Sequence, residues 1–159
     1  MIRQDTDYAF RLLLGFGTEH PAGAETRDVI SRTEVPRAFA QKVLRRLAAA
    51  GILTARVGRG GGYVLAKPPR QVRMWDVVVA VQGPPSVSLC TDQACACNQQ
   101  DRCQVSGTWR SLQKQVFDFL FQTTLADLLA SEGGSCVRQD SKRKESAGGR
   151  QWVGELSRG

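Results

Sequence analysis

Histidine occurs once in the 159 residues, aromatic side chains make up 7%, and no aliphatic run is longer than residues 77–81. A bilayer-spanning helix needs about 20 apolar residues, so a membrane protein is not expected. The opening MIRQDTDYAFRLLLGFG places Arg3, Asp5, Asp7 and Arg11 where a secretory leader needs an unbroken apolar stretch. The expected compartment is therefore the cytoplasm. The single imidazole, His20, lies in the loop HPAGAE, far along the chain from the cysteines. A cysteine nucleophile would have no paired base, and no catalytic apparatus is visible, so the chain is not expected to be an enzyme.

Acidic residues are scarce in the first half. Residues 1–73 carry 13 Lys and Arg against 6 Asp and Glu, residues 74–132 carry 3 against 6, and residues 133–159 carry 6 against 3. A basic unit followed by a mildly acidic one suggests a first half that faces a polyanion, although a solubilising surface has the same charge.

Periodicity predicts a mainly α fold with a small β-wing. Thr6 is positioned to cap a helix over 7–17 with Ala9, Leu12, Leu13 and Phe16 on one face. A short helix begins at Thr26 and carries Val29 and Ile30; the turn TEVPR then leads into a helix with Phe39, Val43, Leu44 and Leu47 on its apolar face. Gly51 closes that helix, ILTARV alternates as a strand, and GRGGGYVLAK forms a hairpin with Arg59 at its tip. Helix, turn, helix and hairpin is the order of a winged helix. A Gly-Lys-Ser/Thr leading into a helix is absent after the glycines, and YVL continues as a strand, which disfavours a phosphate-binding loop.

The expected organisation is a winged helix-turn-helix unit over 1–83, a Cys-rich loop over 84–107, and a long dimerisation helix with a short terminal helix over 108–132. Residues 133–159, rich in Gly, Ser and charge, read as a disordered tail. Within 1–83, residues 74–82 form a short apolar helix. The long helix begins near Thr108 and repeats Trp109, Leu112, Val116 and Phe119 at spacings suited to a helix pair, with Leu120 and Phe121 widening the face.

In a helix-turn-helix the second helix enters the major groove by its N-terminal half. That half opens here on Pro36, Arg37 and Ala38, and Arg37, Gln41 and Arg45 recur at spacing four. Arg37 and Gln41 are the candidate base readers, whereas Arg27, Lys42, Arg45 and Arg46 suit phosphate. The alternative for each is a solvated face. Arg59, next to Gly60 in the hairpin, suits insertion into a minor groove.

Cys90, Cys95, Cys97 and Cys103 fall within 14 residues of an otherwise polar loop. Their spacing lacks the paired C-x2-C knuckles of zinc ribbons and better suits a thiolate-held iron-sulfur cluster. A metal-free thiol switch among Cys95, Cys97 and Cys103, and an iron-sulfur electron-transfer protein, are the alternatives. The latter leaves the basic half and the Arg59 hairpin without a purpose.

TDYAFRLL, VPRAFAQKVLRRLAAAGIL, the wing GRGGGYVLAKP, the cysteine loop and TWRSL together resemble the iron-sulfur-sensing winged-helix transcription regulators of bacteria, the IscR/NsrR/RirA-like family. The resemblance extends from residue 1 to about 132. It implies a homodimer on a double-stranded operator, the helix after the cysteines as dimerisation element, and a [2Fe-2S] or [4Fe-4S] cluster near the dimer interface. Cys90, Cys97 and Cys103 match the three family cysteines, and Cys95 is an additional thiol. Ser106 stands where the cluster-assembly branch has a fourth-ligand His, so that ligand is missing. Asp7 matches an Asp that the nitric oxide sensor branch reaches across from the other subunit, although a first-turn carboxylate is also favoured by the helix dipole. Asp92 and Asp101 are further oxygen donors, and Cys136 is a bystander.

Overall fold

The computed structural model describes residues 1–17, 25–58, 61–92, 97 and 102–131. Among the expectations above, His20, Arg59, Gly60, Cys95, Asp101, Cys136 and the tail over 133–159 lie outside these residues. Among the described residues six α-helices and a two-stranded antiparallel sheet follow one another as α1 (Gln4–Gly17), α2 (Thr26–Thr33), α3 (Arg37–Ala49), β1 (Leu53–Arg56), β2 (Gly62–Leu65), α4 (Met74–Gln82), α5 (Ser106–Gln122) and α6 (Leu125–Ala130).

Ala9, Leu12, Leu13 and Phe16 are all buried along α1, as their spacing predicts. The helix starts earlier than expected, because the Arg3 carbonyl accepts the N–H groups of Thr6 and Asp7. Thr6 is thus not a cap. It is fully buried inside the first turns and donates its hydroxyl to Gln82 Oε1 at 2.7 Å. α1 and α2 approach closely at Gly15, where a Cβ would stand 2.8 Å from Val29 Cγ1 and 3.1 Å from Thr33 Cγ2. Only a residue without that atom lets the two backbones come so near.

The turn between α2 and α3 runs through Glu34, whose φ of 54° lies in the left-handed region. α3 buries Ala40, Val43, Leu44 and Leu47. Phe39, expected on that face, is instead 48% exposed and meets Tyr8 edge to face at 5.8 Å. Ala40 takes the inward position, fully buried in the cluster that α3 shares with α1. At the C-terminus Ile52 donates to the Leu47 carbonyl and Gly51 to that of Ala48, with Gly51 at φ 68°. These are the paired bonds of a Schellman stop, and they turn the chain directly into β1.

β1 pairs with β2 in the register Leu53 with Leu65, Thr54 with Val64, Ala55 with Tyr63 and Arg56 with Gly62. Gly61 is sterically required, because a Cβ there would lie 2.6 Å from the Arg56 carbonyl oxygen and 2.9 Å from that of Gly58. The strand expectations are met, and the hairpin is anchored by Ala66 donating to the Ile52 carbonyl.

α4 occupies residues 74–82 as expected and buries Val77, Val78 and Val81. Its entrance is stitched to the start of α6 by two backbone bonds, Met74 N–H to the Thr123 carbonyl and Leu125 N–H to that of Val72. Thr124 and Asp127 cap α6 reciprocally. Hydrogen bonds from the Thr124 hydroxyl and backbone hold the Asp127 carboxyl below its ordinary range. Leu125 belongs to the same buried cluster as Leu12, Leu44 and Val77, and Leu129 covers Gly17. The last short helix therefore returns to the core of the first unit. α5 lies against α4 through Trp75, which stacks on Phe121 at 4.5 Å and meets Phe117 edge to face at 4.7 Å. No helix among the described residues is long and apolar enough to cross a membrane.

Candidate nucleic-acid interface and cysteine arm

α3 divides its circumference sharply. The side that packs on α1 holds the apolar residues, while Arg37, Ala38, Gln41, Lys42 and Arg45 are all exposed on the other. Arg27, on the first turn of α2, is exposed as well. A groove of about 410 Å³ joins these elements, lined by Glu25, Thr26, Arg27, Ile30, Arg37, Gln41 and Gly61. It brings the start of α2, the N-terminal half of α3 and the edge of the wing to one surface. The unmatched N–H groups that open α2 lend this surface a partial positive charge. The hydroxyl of Thr26 is buried beside it without a hydrogen-bond partner. Among the described residues Arg27, Arg37, Lys42 and Arg45 make no ion pair, so their charges stay available to an anion.

Arg46, expected on phosphate with this group, lies apart from it. Its Nη1 lies 2.6 Å from the Val81 carbonyl oxygen and 3.3 Å from Asp5 Oδ2. At 100° per residue it sits about 140° around the helix from Gln41, toward α1 and α4. Arg59 and Gly60 lie outside the described residues, directly before Gly61.

The cysteine arm leaves α4 at Gly83 and meets α5 at Ser106. Cys90 is in a single 3-10 turn over Leu89–Thr91, opened by a reciprocal Ser88 and Thr91 cap. Its sulfur lies 3.0 Å from Ser88 Oγ. Cys97 and Cys103 are, like Cys90, partly exposed. The Cys103 carbonyl accepts both the N–H and the hydroxyl of Ser106 and so joins the arm to the first turn of α5. Three thiols on one stretch of chain have the donor chemistry of an iron-sulfur ligand set. Among the described residues, however, no three Cys, His, Asp or Glu side chains converge as a metal site, and Cys95 lies outside those residues. Asp7 is half-exposed on α1 and pairs with Arg11 at 3.0 Å, one turn along the same helix.

Periodicity and composition gave no sign of Gln82 or Gln113. Gln82 Oε1 accepts the Thr6 hydroxyl and the Arg3 N–H. Gln113, 7% exposed, donates to the Pro85 carbonyl and accepts from Val87 N–H, both at 2.9 Å. A glutamine beside an apolar seam reads as surface until the segment it holds is known. Past that seam Trp109, Leu112 and Phe119 stand 39%, 40% and 62% exposed.

Residues 2–131 match the family model described as Rrf2, iron-dependent transcriptional regulator. The HTH-type transcriptional regulator IscR of Serratia proteamaculans is 28% identical over 125 residues, which cover 77% of this chain and 76% of that protein. Among solved structures, CymR, the global cysteine regulator of B. subtilis, superposes with a TM-score of 0.67 at 21% identity, covering 81% of this chain and 95% of that one. T. potens IscR superposes with a TM-score of 0.65 at 18% identity, covering 81% and 85%. With the family match spanning the helix-turn-helix, the wing, the cysteine arm and the helix behind it, this chain belongs to the Rrf2 family of winged-helix transcriptional regulators.

Proposed function

We propose that the chain acts in the cytoplasm as a homodimer on a palindromic operator, and that the cysteine arm sets its affinity through a bound iron-sulfur cluster. The observation that carries this reading is the placement of three partly exposed thiols on one arm between the winged unit and α5. Cys90, Cys97 and Cys103 would hold the cluster, with Cys95 or the partner subunit's Asp7 as the remaining donor. Bound there, a cluster supplies a centre that oxidation or nitric oxide can alter. The chain's own part is to keep the thiols partly open to solvent and attached at both ends to helices. Because half-site spacing must match the spacing of two α3 helices, a small rotation between subunits changes operator affinity.

Protein purified without oxygen should be coloured and contain iron and acid-labile sulfide, and both should fall together in Cys90→Ala or Cys103→Ala. A colourless protein after anaerobic reconstitution overturns the cluster. Operator binding that then responds reversibly to dithiothreitol would make the arm a thiol switch.

On the interface, Arg37 and Gln41 read bases and Arg27, Lys42 and Arg45 hold phosphates, with Ala38 leaving room for the groove wall and Arg59 and Gly60 at the wing tip. Arg37→Ala and Gln41→Ala should each relax sequence preference and cost roughly 1–3 kcal/mol on the preferred site. Lys42→Ala should instead weaken every sequence alike and lower the salt slope by about 1. Competition titrations against scrambled duplexes at several salt concentrations separate the two. Uniform losses from all three variants would leave no base reader on α3.

A further inference from the structure

Residues 81–92 run from the end of α4 into the Cys90 turn, and side chains from three other elements hold them. At the first end, Arg46 of α3 donates to the Val81 carbonyl at 2.6 Å, and Gln82 takes the hydroxyl of Thr6 from α1. In the middle, the carboxamide of Gln113 brackets the main chain, donating to the Pro85 carbonyl and accepting the Val87 N–H. At the far end the Ser86 hydroxyl donates to the Ser88 carbonyl at 2.6 Å, and Ser88 and Thr91 cap the turn that carries Cys90. Pro84 and Pro85 fix two φ angles between the first clamp and the second.

Such a segment has few soft torsions in which to absorb a displacement. Gln113 is buried with both polar ends engaged, and a buried carboxamide is tolerated only where its partners are in place. The main-chain groups that it satisfies belong to the arm and not to α5. Its role is therefore to fix the arm's path, and the clamp on the other side of the prolines is made by the recognition helix.

We propose that Gln113 is the positioning residue of the Cys90 turn, and that the strap over residues 81–92 carries the state of that turn to α3 within a single subunit. The proposal rests on the reading that the cysteine arm is the sensing element, but it needs neither a cluster nor an operator to be tested. With reduced, metal-free, full-length protein, N-ethylmaleimide alkylation is followed at each cysteine by mass spectrometry. Gln113→Leu should speed reaction at Cys90 at least fivefold and leave Cys103 within twofold. Gln113→Glu, which keeps the acceptor for Val87 N–H, should fall between. Phe117→Leu loosens α5 at Trp75 without touching the strap and should leave Cys90 within twofold. An unchanged Cys90 rate in folded Gln113→Leu, or an equal acceleration in Phe117→Leu, overturns the positioning role. Should Gln113→Leu fail to fold, Gln113→Glu must still speed Cys90 at least twofold or the role is overturned.

The second half is read by hydrogen exchange. In wild-type protein, alkylation should speed exchange at the last turn of α3 at least threefold while α6 is unchanged, and Arg46→Lys should reduce that response. A response equal in α3 and α6, or absent from α3, overturns the strap. Because every readout is made without iron or DNA, a protein that proves to bind no cluster can still pass or fail this test.

Discussion

Leu112→Asp combined with Phe119→Asp should give a chain that sediments as a monomer and binds its operator at least a hundredfold more weakly. Both side chains are exposed, with relative exposures of 40% and 62%, so the charges enter no part of the existing core. They fall on the stripe of α5 that also carries Val105 and Trp109, a row of large apolar groups facing away from the Trp75 contact. Burying one such side chain in a subunit interface is worth about 1.5–3 kcal/mol, and the row occurs twice in a symmetric pair. A carboxylate in its place must lose its water or keep the subunits apart. Operator affinity falls because two linked half-sites gain from effective concentration, commonly by 10²–10⁴. Analytical ultracentrifugation gives the mass, and circular dichroism checks that helix content is retained. A double variant that still sediments as a dimer would place the subunit contact elsewhere.

Arg46→Ala should lower the melting temperature rather than the affinity for phosphate. The substitution leaves the Val81 carbonyl short of a donor and deprives Asp5, whose side chain is 12% exposed, of one of its two cations. Hydrogen bonds to charged groups contribute about 1.5–3 kcal/mol each. For a folded unit of this size, the loss corresponds to a fall in Tm of roughly 5–15 °C. The salt slope of operator binding should stay unchanged, since the Arg46 guanidinium is engaged by the Val81 carbonyl and Asp5. An unchanged Tm with a slope lowered by about 1 would return Arg46 to the DNA face.

The contrast between Arg45 and Arg46 marks where local pattern stops being informative. Helical spacing separates the buried Val43, Leu44 and Leu47 from exposed Arg37, Gln41 and Arg45 without any knowledge of tertiary structure. It cannot say that the carbonyl ending α4 waits beside Arg46, because that contact joins positions 35 residues apart. Thr6 failed in the same way: its hydroxyl suits a cap locally, but Gln82 claims it from across the fold. Phe39 was expected inward and Ala40 was not singled out, because the hydrophobicity of a side chain does not reveal which neighbour it will meet. Glycine signals fared better, since Gly51 and the wing act on their own immediate backbone. At the cysteines, residue type discloses the donor chemistry, whereas their mutual geometry depends on a path of chain that spacing does not determine.

α6 completes a core that was begun more than a hundred residues earlier in the chain. Leu125 belongs to one buried cluster with side chains of α1, α3 and α4, and Leu129 closes over Gly17. During translation those earlier helices emerge first and must wait for their cover. At about 5–20 residues per second, the stretch between α4 and the end of α6 takes roughly 2–10 s to synthesise. Throughout that interval the nascent winged unit presents an apolar notch where α6 will sit. A chaperone that binds apolar surface thus meets an open form of the regulator that the finished molecule no longer offers.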